Sequence, residues 1–205
     1  MILAGLTGNI GSGKTTVSRL FSMLGVPVYH ADEKGKQFLG FSGIRDKVIS
    51  LFGTEVLGKE GRIDRKKLAA VVFADKEKLS RLNEIIHPMV RADFRQWADT
   101  HKGQPYVMEE VAILFESGLA GDFDKIVLVS APEYLRFSRV CKRDGVDEDS
   151  VRQRSRHQWS EQDKIPLSDY VIRNDESSLL IDQVTFIHEQ LLKEAGVRGH
   201  GDLPG

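Results

Sequence analysis

The chain has 205 residues, 40% of them hydrophobic, enough for one well-cored domain with small insertions. Charged residues make up 29% and the formal net charge is -1, an even balance that argues against a general nucleic-acid or membrane-surface binder but leaves room for a local basic pocket. The one cysteine, Cys141, excludes an intrachain disulfide framework and fits a reducing cytosol; the opening MILAGLTGNI lacks the basic and apolar regions of a signal peptide, and no apolar run nears the roughly 20 residues that span a bilayer.

In chain order, ILAGLTG predicts a short buried strand and a glycine turn. KTTVSRLFSMLG follows with Val17, Leu20, Phe21 and Leu24 at helical spacing, closed by Gly25. VPVYHAD, YVMEEVAIL, KIVLVSAP and DYVIRND are four further strand candidates, each separated from the next by helical or loop-like sequence. That alternation predicts an α/β fold with a five-stranded parallel sheet and helices on both faces, a three-layer α/β/α sandwich. From Glu33 to about Thr100 no strand is convincing. DRKKLAAVVF and DKEKLSRLNEIIHPMVRADFRQWADTH read as helices opened by Asp64 and Asp75, with Pro88 expected to kink or divide the second. The expected organisation is one domain. Its core covers about 1–32, 103–138 and 167–195, with a helical acceptor-binding insertion over about 33–102 and a small helical lid over about 139–166. The glycine-rich tail, about 196–205, is expected to be flexible.

Residues Gly8-Asn9-Ile10-Gly11-Ser12-Gly13-Lys14-Thr15 fit the phosphate-loop spacing G-x-x-x-x-G-K-[ST], and Thr16 follows. Glycines let successive N–H groups turn inward around an anion, and the following helix adds the positive end of its dipole. Lys14 can reach the β- and γ-phosphates, and Thr15 can offer its hydroxyl to Mg²⁺. Motors, GTPases and small-molecule kinases share such a loop. No N-K-x-D guanine motif is present, and Arg173-Asn174-Asp175 lacks its lysine and spacing. A short chain with two helical insertions fits a small kinase better, one insertion holding the acceptor and the other closing over the donor phosphates. Asp32 stands at the carboxyl end of the second strand, where open α/β sheets bind ligands. It could orient an acceptor hydroxyl and take its proton, hold a water of Mg²⁺, or simply cap the next helix.

Several segments, in order, resemble the dephospho-coenzyme A kinase family. GLTGNIGSGKTTV is similar to its opening phosphate loop, HADEKGKQF to D-A-D-x-x-x-R, and GRIDRKKLAAVVF to G-x-[IL]-[DN]-R-x-x-L-x-x-x-[VI]-F. LNEIIHPMV resembles L-N-x-[IL]-x-H-P-x-[VI], VAILFESGL resembles V-P-L-L-F-E-x-x-L, and DYVIRND resembles the late D-x-[VI]-I-x-N that ends on Asn174. The resemblance runs from about Ile2 to Asn174. It implies transfer of the ATP γ-phosphate, with Mg²⁺, to the 3′-hydroxyl of dephospho-coenzyme A. Asp32 would be the general base, and Lys14, Arg139 and Arg143 would stabilise the transferring group. Arg143 and Asn174 would stand on the ATP side, and Lys36, Arg65, His87 and Glu116 on the acceptor side. Arg154 and Gln158 match a further motif after the lid.

The chain departs from the family pattern at His30 and Lys36, in place of an aspartate and an arginine, and at Ala112 and Ile113. Lys36 keeps the charge but not the bidentate fork of arginine. The residues alone leave plainer roles open. His87 could be a packed histidine, Glu116 a solvated loop carboxylate, Arg65 half of a surface ion pair, and Arg139 with Arg143 a solvated helix face. Trp97 and Trp159 fit packing better than adenine stacking. The rival functions are another small-molecule or nucleoside kinase and a nucleotide-dependent switch.

Overall fold

The computed structural model describes residues 1–197; residues 198–205 of the tail lie outside the described residues. The chain forms two compact units, one of Met1–His30 with the chain from Ala98 onward and one of Ala31–Trp97.

The first unit carries the sheet. Strands β1 (Ile2–Thr7), β2 (Val28–His30), β3 (Tyr106–Glu110), β4 (Lys125–Ser130) and β5 (Tyr170–Arg173) lie in the order β2-β3-β1-β4-β5, all neighbours parallel. All five correspond to strands expected from sequence. Their near-continuous apolar runs suit strands covered on both faces. On one face Ala4, Leu6, Met108, Val127, Val129 and Ile172 pack against Val17 and Phe21 of α1 (Lys14–Met23) and against Val184, Ile187 and Leu191 of a C-terminal helix at Leu180–Glu194. On the other face a side chain at Gly5 would be crowded, because a Cβ there would lie 2.6 Å from Leu114 Cδ1 and 3.1 Å from the Phe123 ring.

The break after α1 is local chemistry. Gly25 has φ +85°, its N–H donates to the Ser22 carbonyl, and the Val26 N–H donates back to Phe21 at 3.1 Å. This paired reversal is the common glycine stop of a helix.

The second unit is helical. It contains α2 (Ala31–Phe38), α3 (Ser42–Phe52), α4 (Arg65–Phe73) and nearly all of α5 (Lys76–Asp99). Ile44, Val48, Phe52, Val56, Leu68 and Val72 form its core. The Asp64 carboxylate accepts the N–H groups of Lys66 and Lys67, and Asp75 accepts those of Glu77 and Lys78, so both aspartates cap helices as the sequence implies. Pro88 does not divide α5, which is one helix of 24 residues. Proline removes one backbone bond at a cost of ~3 kcal/mol. Leu82, Ile85, Ile86 and Met89, packed on the unit's core on both sides of it, hold the helix together.

Back in the first unit, α6 (Glu133–Asp144), α7 (Glu148–Ser155), the short α8 (Glu161–Lys164) and the C-terminal helix α9 complete the fold. Among the described residues no helix is long and apolar enough to cross a membrane.

The faces of α1 give a direct stability test. Phe21 is fully buried, whereas Met23 is 81% exposed. Phe21→Ala is expected to cost about 3–5 kcal/mol in denaturant unfolding, and Met23→Ala no more than about 0.5 kcal/mol.

Candidate active site

The loop between β1 and α1 turns on glycines that nothing else could replace. Gly11 has φ +78°, and a Cβ there would collide with the carbonyl of Arg136. Gly13, the residue before α1, has φ +98°, and a Cβ there would strike the side chain of Asn174. The Asn9 carbonyl accepts the Ser12 N–H at 3.0 Å and closes the turn. Lys14 Nζ donates to the Gly8 carbonyl at 2.8 Å, which holds the ammonium over the loop. Asn174 Nδ2 donates to the Ser12 carbonyl at 2.8 Å, so this residue touches the loop.

Thr15 meets a residue that the sequence reading missed. Its Oγ1 donates to Glu110 Oε1 at 3.2 Å, at the end of β3. Ser18 Oγ donates to Glu110 Oε2 at 3.1 Å, and His30 Nδ1 lies 2.7 Å from the same oxygen. His30 Nδ1 and Glu110 Oε2 therefore share a hydrogen bond. The family's aspartate at position 30 is thus replaced by a side chain that holds Glu110. A hydroxyl and a carboxylate side by side are hard oxygen donors, the set that suits Mg²⁺, which keeps several of its waters. The signal for Glu110 was present as an acid at the carboxyl end of an apolar strand, but the order that sets β3 beside β1 is not local information.

The arginines of α6 are already engaged. Arg139 donates through both Nη atoms to the Asn174 carbonyl at 3.1 Å, and Nη2 also reaches Glu176 Oε1 at 3.1 Å. Arg143 grips Asp144 in bidentate fashion, at 2.7 and 3.0 Å, and Arg154 Nη1 reaches Asp144 Oδ2 at 3.2 Å. The Arg143 hydrogen bond, with help from Arg154, holds the Asp144 carboxyl below the usual range. Arg139 is thus partly buried, at 29% exposure, whereas Arg143 stays 64% exposed beside its neighbour Asp144.

Residues 158–164, which the sequence placed within the lid, are bonded to the phosphate loop. Gln158 Oε1 accepts the Ile10 N–H at 2.7 Å, while its Nε2 donates to the Ala112 carbonyl at 3.0 Å. Glu116 is not a solvated carboxylate. Its Oε1 accepts the Trp159 N–H at 2.7 Å and lies 2.7 Å from the fully buried Lys164 Nζ. Trp97 stacks on Phe94, and Trp159 stacks on Phe115 while staying 45% exposed.

In the helical unit, Asp32 lies inside the first turn of α2, one residue past its start, rather than before the helix as a cap would. Arg65 Nη2 donates to the Lys36 carbonyl at 3.1 Å, which joins two of the acceptor-side candidates. Burial holds the His87 imidazole below its ordinary value; Asp32 opposes this and Arg91 adds to it. Asp32 and His87 are therefore close enough to act on one another electrostatically.

The model of the dephospho-CoA kinase family matches residues 2–179. A dephospho-CoA kinase of Bacteroides fragilis is 40% identical over 184 residues, 89% of each chain. A solved Thermus thermophilus structure matches with a TM-score of 0.80 at 33% identity, covering 97% of this chain and 98% of that one. The chain belongs to the dephospho-CoA kinase family. A Campylobacter jejuni dephospho-CoA kinase structure also aligns, with a TM-score of 0.67 at 25% identity over 94% of this chain and 98% of its own. Membership makes the chain a phosphotransferase acting on an alcohol group, with ATP as a substrate.

His87 sets a pH dependence. Its pKa is lower in the fold than in the unfolded chain, so the unfolded state binds the extra proton as pH falls below about 6.5 and native stability declines. His87→Gln should lose less stability than the parent between about pH 7.5 and about pH 5, read from urea midpoints. Equal losses would mean an ordinary imidazole.

Proposed function

We propose that the chain transfers the γ-phosphoryl group of ATP to the 3′-hydroxyl of dephospho-coenzyme A, and that the residues work as follows. The single observation carrying this reading is the Glu110–Thr15 contact on a glycine phosphate loop, in a chain of the dephospho-CoA kinase family. Gly8 to Thr16 wrap the β- and γ-phosphates with backbone N–H groups. Lys14 places a positive charge on the oxygens that gain charge in the transition state. Thr15 and Glu110 are the residues that would hold Mg²⁺, which supplies charge neutralisation between the phosphates when bound.

Asp32 is the general base. It follows His30, the last residue of β2, by two positions, and a carboxylate there orients the ribose hydroxyl and accepts its proton. His87, in the same helical unit, stands with Asp32 on the acceptor side. Lys36 and Arg65 serve the acceptor's anionic groups from the helical unit, the acceptor-binding part of the chain. Arg139 steadies Asn174 on the ATP side. Arg143 exchanges its grip on Asp144 for phosphate oxygens when the donor arrives, a partner swap that keeps the guanidinium paired throughout. The proposed compartment is the cytoplasm, in keeping with a chain whose one cysteine can form no intrachain disulfide.

The test is ADP release with ATP and Mg²⁺, with and without dephospho-coenzyme A, the product being checked for one added phosphate by mass. Acceptor-dependent turnover is expected; ADP release indifferent to the acceptor would overturn the reading. Asp32→Asn should lower kcat by about 100-fold or more with ADP affinity within about threefold of the parent. Glu110→Gln should raise the Mg²⁺ concentration needed for half-maximal rate by about tenfold, and an unchanged requirement would remove Glu110 from the metal side.

A further inference from the structure

Lys164 has no part in the reaction as described above, yet it is fully buried. Its Nζ donates to Asn9 Oδ1 at 2.6 Å and lies 2.7 Å from Glu116 Oε1. An ammonium only donates, so Asn9 must turn its oxygen toward Lys164. Its Nδ2 is thereby aimed at the Trp159 carbonyl, which it reaches at 3.1 Å. The backbone carbonyl of the same Asn9 closes the loop on Ser12. Both ends of the Asn9 side chain are thus fixed, and with them the first bend of the phosphate loop.

The cost of this arrangement points the same way. Burying a lysine is unfavourable unless it is paired, and a packed apolar pair of similar volume would stabilise the fold as well or better. Glu116 supplies the counter-charge but is itself incompletely satisfied, since its Oε2 is buried with no hydrogen-bond partner. Stability alone does not account for such a pair. Geometry does, because the pair is what orients Asn9.

Two residues on one short segment act from opposite sides. Three positions before Lys164, Glu161 accepts from Ser130 Oγ at 2.6 Å and from the Ala131 N–H at 3.2 Å, and lies 3.5 Å from the buried Arg136. Arg136 in turn backs Gly11 with its main chain. The segment from Gln158 to Lys164 is therefore a brace fastened to the phosphate loop and to the end of β4.

We propose that Lys164 is a positioning residue for phosphoryl transfer. Through Asn9 it locks the phosphate loop in the form that receives the ATP phosphates, and Glu116 is its counter-ion rather than a ligand of the acceptor. This rests on the reading of Gly8–Thr15 as the ATP site, so binding of ADP alone is measured separately from turnover.

The experiment is a double-mutant cycle between Asn9→Ala and the charge-free pair Lys164→Met with Glu116→Gln. Thermal midpoint, ADP affinity by calorimetry, kcat and the KM for dephospho-coenzyme A are read for each variant. The charge-free pair is expected to keep a cooperative melt yet lose about 100-fold in kcat, as a misplaced reacting group does. ADP should bind about tenfold more weakly. Asn9→Ala should show the same losses, and combining it with the pair should cost less than about threefold more. Parent-like kcat in a folded charge-free pair, or losses that multiply independently, would overturn the proposal. If that pair does not fold, Asn9→Ala, which leaves the ion pair intact, decides alone: parent-like kcat and ADP affinity would be fatal to the idea. Glu116→Gln with a raised acceptor KM and unchanged ADP affinity would return Glu116 to the acceptor and also overturn it. A parent enzyme that binds ADP but does not turn over dephospho-coenzyme A defeats the proposed function, while the ADP arm still judges Lys164.

Discussion

A loop that wraps a polyphosphate cannot be held from within, because its interior must stay clear for the anion. The segment from Gly8 to Gly13 is held from outside instead. Glutamine, lysine and asparagine side chains reach it from the far part of the same unit, at Ile10, Asn9 and Ser12. Glycine makes the turn possible at Gly11 and Gly13, but a glycine backbone is also the loosest in the chain, and its freedom has to be removed by something else. Here that something is a ring of polar side chains, each spent on one backbone or amide group of the loop.

The same constraint explains why charges at this end of the sheet come in closed pairs. Glu110 collects a threonine, a serine and a histidine. Asp144 collects Arg143 and Arg154. Lys164 is closed by Glu116. In a site that must accept a highly charged donor, an unpaired cation would bind any passing anion, and an unpaired carboxylate would repel the donor. Pairing leaves each group oriented and lets it trade a protein partner for a ligand partner at small net cost.

Much of this was legible from the sequence and some was not, for definite reasons. The five strands were readable because parallel strands covered on both faces must be short and apolar. The phosphate loop was readable because its spacing is fixed by the anion. Asp64 and Asp75 were readable as caps because capping is local. Glu110 was hidden, since YVMEE offers two acids in a row and only the strand order β2-β3-β1-β4-β5 sets the second beside Thr15. Lys164 was hidden more completely. It lies in SEQDK, a stretch that reads as solvated, and its burial depends on partners 48 and 155 positions away. Pro88 does not divide its helix, because a breaker's local cost was outweighed by apolar packing on both sides of it.

The distance along the chain between the loop and its supports has a consequence for synthesis. The ribosome delivers the phosphate loop well ahead of its supports, because β1 has no strand neighbour until Tyr106–Glu110 emerges. Lys164 comes later still, and Asn174 is separated by 162 positions from the Ser12 it holds. A nascent chain therefore carries the loop as bare glycine-rich backbone until those partners emerge. The loop's full set of braces is assembled only when the last strand is out, so its conformation is a property of the finished fold and not of its early stages.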